Sequence, residues 1–170
     1  MTTTSNKLAS EAIQLRADVR TSDVAAIRTI VAQTNMFTPA EVDIAAELAQ
    51  DAADKGNASD YSFLIAEREG KVVGYACYGP IACTLASFDL YWIAVEPDCQ
   101  GTGLGKKLLA ATEAAVREVG GTRIYIDTAG RDAYIPTRKF YESQQYARVA
   151  TLPDFYAPDD AKVIYSKTLA

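Results

Sequence analysis

Residues 100–105 read Gln-Gly-Thr-Gly-Leu-Gly, followed by Lys106, Lys107 and an apolar, alanine-rich run. Alternate glycines at the opening of a helix suit a phosphate group. Gly101, Gly103 and Gly105 carry no side chain to block its approach, and the N–H groups and partial positive charge of the helix N-terminus attract the anion. A nucleoside-triphosphate loop is excluded at two places: Lys107 stands where a Ser or Thr must bind magnesium, and Gln100 stands where the first glycine belongs. The dinucleotide fingerprint G-x-G-x-x-G is missed by one residue, and the loop lies in mid-chain after a hairpin rather than after a first strand.

The chain has no histidine. Ser-His and Cys-His dyads are therefore excluded and the commonest metal ligand is missing, so no metal is expected. Proton transfer near neutral pH falls to a carboxylate, tyrosine, lysine, cysteine or water. Cys77, Cys83 and Cys99 are too few and too irregular for a disulfide framework or zinc knuckle. Nothing basic beside them marks an activated thiol. Asp89 and Tyr91, two apart in a strand-like run, are expected on one face, with Glu96 on the other.

These residues need elements to hold them. "AIQLRADV" (12–19) alternates like a half-buried strand, and Thr21 or Ser22 is expected to cap a helix burying Val24, Ile27, Ile30 and Val31. A second helix starts at Thr38-Pro39 and stops at Gly56. "YSFLIAE" (61–67) and "KVVGYACYG" (71–79) form a hairpin, and "SFDLYWIAV" (87–95) a third strand. After the glycine loop a helix runs to Gly120. Then come the strand "TRIYID" (122–127), a short helix at 136–145, and two strands, "YARVATL" and "KVIYSKTL", around a turn containing "APDD". The order predicts an α/β fold, one mixed sheet with helices on its faces.

In that setting "IAVEPDCQGTGLGKKLL" resembles the acetyl-coenzyme A signature, Q-x-x-G-x-G, of the GCN5-related N-acetyltransferase (GNAT) family. The element order is similar from about Ile13 to Leu169, most strongly from Asp89 to Tyr146. The resemblance implies a twisted, mostly antiparallel sheet with splayed central strands and acetyl-CoA as co-substrate. Pantetheine would pair with the main chain of Ile93, Ala94 and Val95, and Gln100, Gly101, Thr102, Gly103, Leu104, Gly105 and Lys106 would hold the pyrophosphate. "KFYESQQY" resembles the family's second helix motif, which puts Tyr141 where a tyrosine protonates the coenzyme A sulfur. Tyr134 replaces the family's asparagine, Thr137 its small residue and Gln145 its glycine; Tyr134 and Thr137 remain in the implied cofactor-binding set. Asp89 takes the place of a glutamate base in histone-acetylating relatives, with Tyr91 as fallback. "LPDFYAPDDAKVIY" resembles the last hairpin of peptide-acetylating members, where Asp154 and Tyr156, with Asp159 and Asp160, line a lip for a cation or simply form a turn. Arg131 and Arg138 either hold a phosphate or an acidic substrate group or stand exposed.

The implied reaction is direct attack of a primary amine, on a protein, peptide or small molecule, upon the thioester in a ternary complex. The alternative on the same fold is a non-catalytic acyl-CoA-binding regulatory module. With 170 residues, 49% hydrophobic and 23% charged, the chain fits one acyltransferase domain at 11–170 behind a polar tail at 1–10. A net charge of −5 disfavours a nucleic-acid partner and suits a cationic acceptor. Without an apolar run long enough for a membrane or a secretory leader, cytoplasmic residence and no membrane partner are expected. The family resemblance is compatible with a homodimer.

Overall fold

The computed structural model describes residues 12–170; the tail expected at residues 1–10 lies outside the described residues. In chain order the elements are β1 (Gln14–Arg16), α1 (Thr21–Gln33), α2 (Pro39–Lys55), β2 (Ser62–Arg68), β3 (Lys71–Pro80), β4 (Ser87–Val95), α3 (Leu104–Glu118), β5 (Arg123–Ala129), α4 (Ile135–Ser143), β6 (Ala147–Ala157) and β7 (Asp160–Thr168). The strands make one seven-stranded sheet in the order β1-β2-β3-β4-β5-β7-β6. Every neighbouring pair is antiparallel except β4 and β5. Two apolar cores cover its faces. Ile27, Ile30 and Val31 of α1 pack with Val42, Ala45 and Ala49 of α2 on one face, and Leu104, Leu108, Leu109 and Val116 of α3 pack with Tyr141 of α4 on the other. Each fully buried Leu, Ile or Val stabilises the fold by roughly 1.5–3 kcal/mol.

Local chemistry places several element ends. Thr38 caps α2: its hydroxyl accepts from the Glu41 N–H, and the Glu41 carboxylate accepts from the Thr38 N–H at 2.7 Å, a reciprocal capping box. The cap of α1 falls at Arg20, ahead of both Thr21 and Ser22, because Asp23 in the first turn accepts from the Arg20 N–H at 2.7 Å. Arg16, at the end of β1, clamps Asp23 at 2.6 and 2.8 Å and Glu67 at 2.9 Å, tying β1, α1 and β2 together. Burial alone would raise the Asp23 carboxyl, but the bonds from Arg16 and the Arg20 N–H hold it below the ordinary range. β6 runs five residues beyond the expected "YARVATL", through Pro153 to Ala157, and β7 begins at Asp160. An edge strand tolerates a proline because its outer N–H needs no partner, and β6 shifts register between Leu152 and Ala157.

The centre of the sheet matters most for function. β5 pairs with β4 only from Ser87 to Leu90, opposite Arg123 to Ile126, and then continues beside β7 to Ala129. On its other edge β4 stays paired with β3 as far as Val95, with one irregularity: Cys77 opposes Trp92 and Tyr78 opposes Leu90, leaving Tyr91 as a bulge. A bulge bends and overtwists its strand, so β4 turns away from β5 and the sheet parts between them. Among the described residues no strand lies along that edge of β4 from Tyr91 to Val95.

Candidate active site

A cleft of about 940 Å³ fills the gap between the parted strands. Its volume lies within the range of ligand sites, about 300–1,000 Å³. It passes through the sheet. Ile93, Val95, Phe140 and Tyr141 line it from the α3–α4 face, whereas Phe37, Trp92 and Ala94 line it from the α1–α2 face.

The α3–α4 half is built by the glycine loop. Gly101 (φ +73°) and Gly103 (φ +88°) both adopt the left-handed backbone that other residues avoid, and a Cβ on either would meet nothing within 4 Å. Gly103 is the N-cap of α3 and offers no side chain to the helix. The first helical bond runs from the Lys107 N–H to the Gly103 carbonyl at 3.0 Å, so the N–H groups of residues 104–106 have no intrahelical acceptor. Among the described residues no protein group accepts from the N–H groups of Gly101, Thr102 or Gly103 either. This run of donors, at the positive end of a 15-residue helix, fits a phosphate or pyrophosphate. Side chains brace the loop from within: Gln100 Nε2 donates to the Val95 carbonyl at 3.3 Å, and the Thr102 hydroxyl donates to the Cys99 carbonyl at 2.6 Å. Of the expected set, Gln100, Gly101 and Gly105 line the cleft; Leu104 is a core residue, and Thr102, Gly103 and Lys106 are exposed just outside the lining.

Tyr141 closes the same half. Its ring is buried among Phe140, Tyr146 and Tyr165, with centroids 5.2, 5.9 and 6.2 Å away. The residue still lines the cleft, and its hydroxyl has no hydrogen-bond partner among the described residues. Burial, with Tyr134 nearby, pushes this phenol far above its ordinary value, so it stays protonated. Thr137 and Tyr134 line the cleft beside it.

The α1–α2 half is aromatic and acidic. Tyr91, Trp92 and Tyr156 line it together with Glu41, Asp127 and Asp160. Arg131 crosses its rim: the guanidinium donates to Asp160 Oδ2 at 3.0 Å and to the Met36 carbonyl at 3.1 Å, and lies 4.9 Å over the Tyr134 ring. Arg138 donates to the carbonyls of Ala129 and Arg131. Both arginines are therefore occupied by the protein itself rather than offered to a ligand. Asp154 is not on the lining; it accepts from the Asp159 N–H at 2.8 Å inside the final hairpin.

Asp89 sits at the closed end, where β3, β4 and β5 still pair, and is half-buried behind the cleft wall. Asp89 and Tyr91 share the α1–α2 face as expected, and the bulge breaks the alternation at the next step, so that Leu90 and Ile93, three apart, both face α3–α4 while Tyr91 and Trp92 both face α1–α2. They are neighbours there, since Asp89 contributes to raising the Tyr91 phenol after burial. Asp127, which sequence reasoning passed over, reaches the lining from β5 and pairs with Lys162 at 2.5 Å. Burial and then Asp127 raise the Asp89 carboxyl, and Lys162 partly opposes them. The native state therefore holds this proton to higher pH than the unfolded chain does, and stability falls as pH rises from about 3.9 through the raised value. Asp89→Asn should raise Tm at pH 7 by about 1–3 °C, as expected for a partly screened charge, and leave it unchanged near pH 4. Thermal melts at the two pH values test this; an equal gain at both would contradict it.

A sheet parted at its one parallel pair, over a loop of free N–H groups, is the architecture implied by the resemblance to acyl-CoA-dependent transferases. The chain belongs to the acetyltransferase (GNAT) family, whose sequence model matches residues 15–146. It is similar to a mycothiol acetyltransferase of Sanguibacter keddieii (31% identity over 71% of this chain) and to an amino-acid acetyltransferase of Ralstonia nicotianae (30% over 62%). It spans only 38% and 21% of those two proteins. The crystal structure of a GNAT-family protein from Desulfovibrio desulfuricans is 41% identical, with a TM-score of 0.92, over 94% of this chain and 100% of that one. Among the described residues no helix is long and apolar enough to cross a membrane, and no His/Cys/Asp/Glu cluster could hold a metal.

Proposed function

We propose that the protein is a single-domain cytoplasmic enzyme, residues 11–170, that transfers the acetyl group of acetyl-CoA to a primary amine by direct attack. The observation that carries this reading is one cleft joining three features: the loop of unpaired N–H groups, the open edge of β4, and the bare hydroxyl of Tyr141. The loop around Gly101 and Gly103 binds pyrophosphate, and the β4 edge from Ile93 to Val95 pairs with the pantetheine amides. Acetyl-CoA supplies an activated acyl carbon: the amine nitrogen bonds to it as the carbon–sulfur bond breaks. Main-chain donors near Val95 stabilise charge developing on the carbonyl oxygen. Tyr141 hydrogen-bonds the departing sulfur as it gains charge, and the proton that sulfur finally takes up is balanced by the second proton shed by the nitrogen as the amide forms, so the phenol is left unchanged. The proton lost by the incoming ammonium leaves through water toward Asp89 and Asp127.

The family and the names of both curated relatives support acetyl transfer. Calorimetry tests the donor. Acetyl-CoA should bind with magnesium-independent heat and ATP should not, and a thiol-release screen across amines and peptides should then show turnover. Absence of heat with any acyl-CoA would remove the proposal.

A further inference from the structure

We infer that the acceptor is an arylalkylamine: a primary amine on a flat aromatic body, with no carboxylate beside the amine. This rests on the acetyl-transfer reading above and names the substrate class of that same site.

The α1–α2 half of the cleft has rings on opposite sides. Tyr91 and Trp92 come from β4 and Tyr156 from the end of β6, while Tyr134, from the segment that follows β5, stands where this half meets the Tyr141 half. Phe37 meets Trp92 edge-on at 4.7 Å and backs that wall. Tyr91 and Tyr156 are 38% and 48% exposed, so their rings are not packed away in the core. A planar apolar body between such walls gains offset or edge-to-face contacts beyond simple burial. Its ammonium finds both ring faces and carboxylates.

Charge decides against an amino acid. Glu41, Asp127 and Asp160 line the cleft, and Glu41 uses only Oε2 on Thr38. Among the described residues Arg131 is the one cationic side chain on the lining. Its guanidinium is already held by Asp160, the Met36 carbonyl and the Tyr134 face. Lys162, next behind, is held by Asp127. An α-carboxylate would enter beside like charges and compete with Asp160 for the one cation on the lining, whereas a bare amine has no such conflict.

The test is thiol release from acetyl-CoA with phenethylamine, phenylalanine and glucosamine, alongside calorimetry of acetyl-CoA binding. Phenethylamine should exceed phenylalanine in kcat/KM by at least about 100-fold, the size of a like-charge penalty. Asp160→Asn, which releases Arg131, should shift that ratio toward phenylalanine by about 10-fold. Glu41→Gln keeps the helix cap and should shift it the same way by about 3-fold. Equal or better use of phenylalanine, or preference for glucosamine, overturns the inference and leaves acetyl transfer standing. So does acetyl-CoA binding with none of the three acetylated, or an unmoved ratio in both variants. Failure to bind acetyl-CoA instead removes the underlying reading, and this inference with it.

Discussion

Tyr141→Phe should lower kcat by about 100-fold while leaving the affinity for acetyl-CoA and the fold unchanged, because only a hydroxyl is removed. The ring is 4% exposed and packs on Phe140, Tyr146 and Tyr165, contacts that phenylalanine keeps. Among the described residues the hydroxyl makes no hydrogen bond whose loss could destabilise the fold. The magnitude follows from acidity. A free phenol ionises near pH 10 and a thiol near 8.5, so full proton transfer to the departing sulfur runs uphill by about 1.5 units, or about 2 kcal/mol. Burial disfavours both anions in the same dry volume, so it raises the two together and leaves the gap similar. Tyr141 therefore acts through a hydrogen bond that strengthens as sulfur gains charge. This argues for the lower part of the range of about 100- to 10,000-fold for general acids. Because its phenol stays protonated, the pH–rate profile should show no alkaline limb from Tyr141 below about pH 10, the ordinary phenol value. Single-turnover kinetics with calorimetry check the split: weaker acetyl-CoA binding with unchanged kcat would assign Tyr141 to binding alone.

The parts of this site that could be read from sequence are those set by local backbone chemistry. Gly101 and Gly103 mark left-handed positions, and Thr38-Pro39 with Glu41 marks a helix start; each states its conformation within a few residues. The parting of the strands was expected only through family resemblance, because nothing in "SFDLYWIAV" reports where β5 stops pairing. The bulge is hidden for a related reason. In "LYWIAV" no polar residue fixes the phase of the alternation, so Tyr91 can slip out of register unannounced. Asp160 was expected at a lip for a cation and does line the cleft, whereas Asp127 was missed because its meeting with Trp92 and Glu41 depends on the order of strands β4-β5-β7, which the chain visits far apart. Asp127 did carry one signal: it is the first charged residue after the apolar alternation of "IYI". Arg131 reads as a free cation by sequence and is held on three sides in the fold.

Gly103→Val should weaken acetyl-CoA binding by about 10- to 100-fold, with a smaller loss of thermal stability. Steric clash is not the cause, since a Cβ at this position meets nothing within 4 Å of the protein. The cause is the backbone, at φ +88° and ψ 2°. A left-handed conformation costs an ordinary L-residue about 1–2 kcal/mol, and a β-branched one more. The loop can relieve that strain by rotating the peptides around residue 103. That rotation turns the N–H groups on either side away from a common point. Each charge-assisted hydrogen bond to an anion contributes about 1.5–3 kcal/mol, and tenfold in affinity is about 1.4 kcal/mol. Losing one bond therefore accounts for the whole expected change. Lys106→Ala is the contrasting case. Its side chain is exposed, so a screened surface charge should change affinity by no more than about 3-fold. Calorimetric titration of the two variants at matched ionic strength separates backbone geometry from charge. If Lys106→Ala weakens binding as much as Gly103→Val does, the side-chain cation and not the row of N–H groups holds the phosphate.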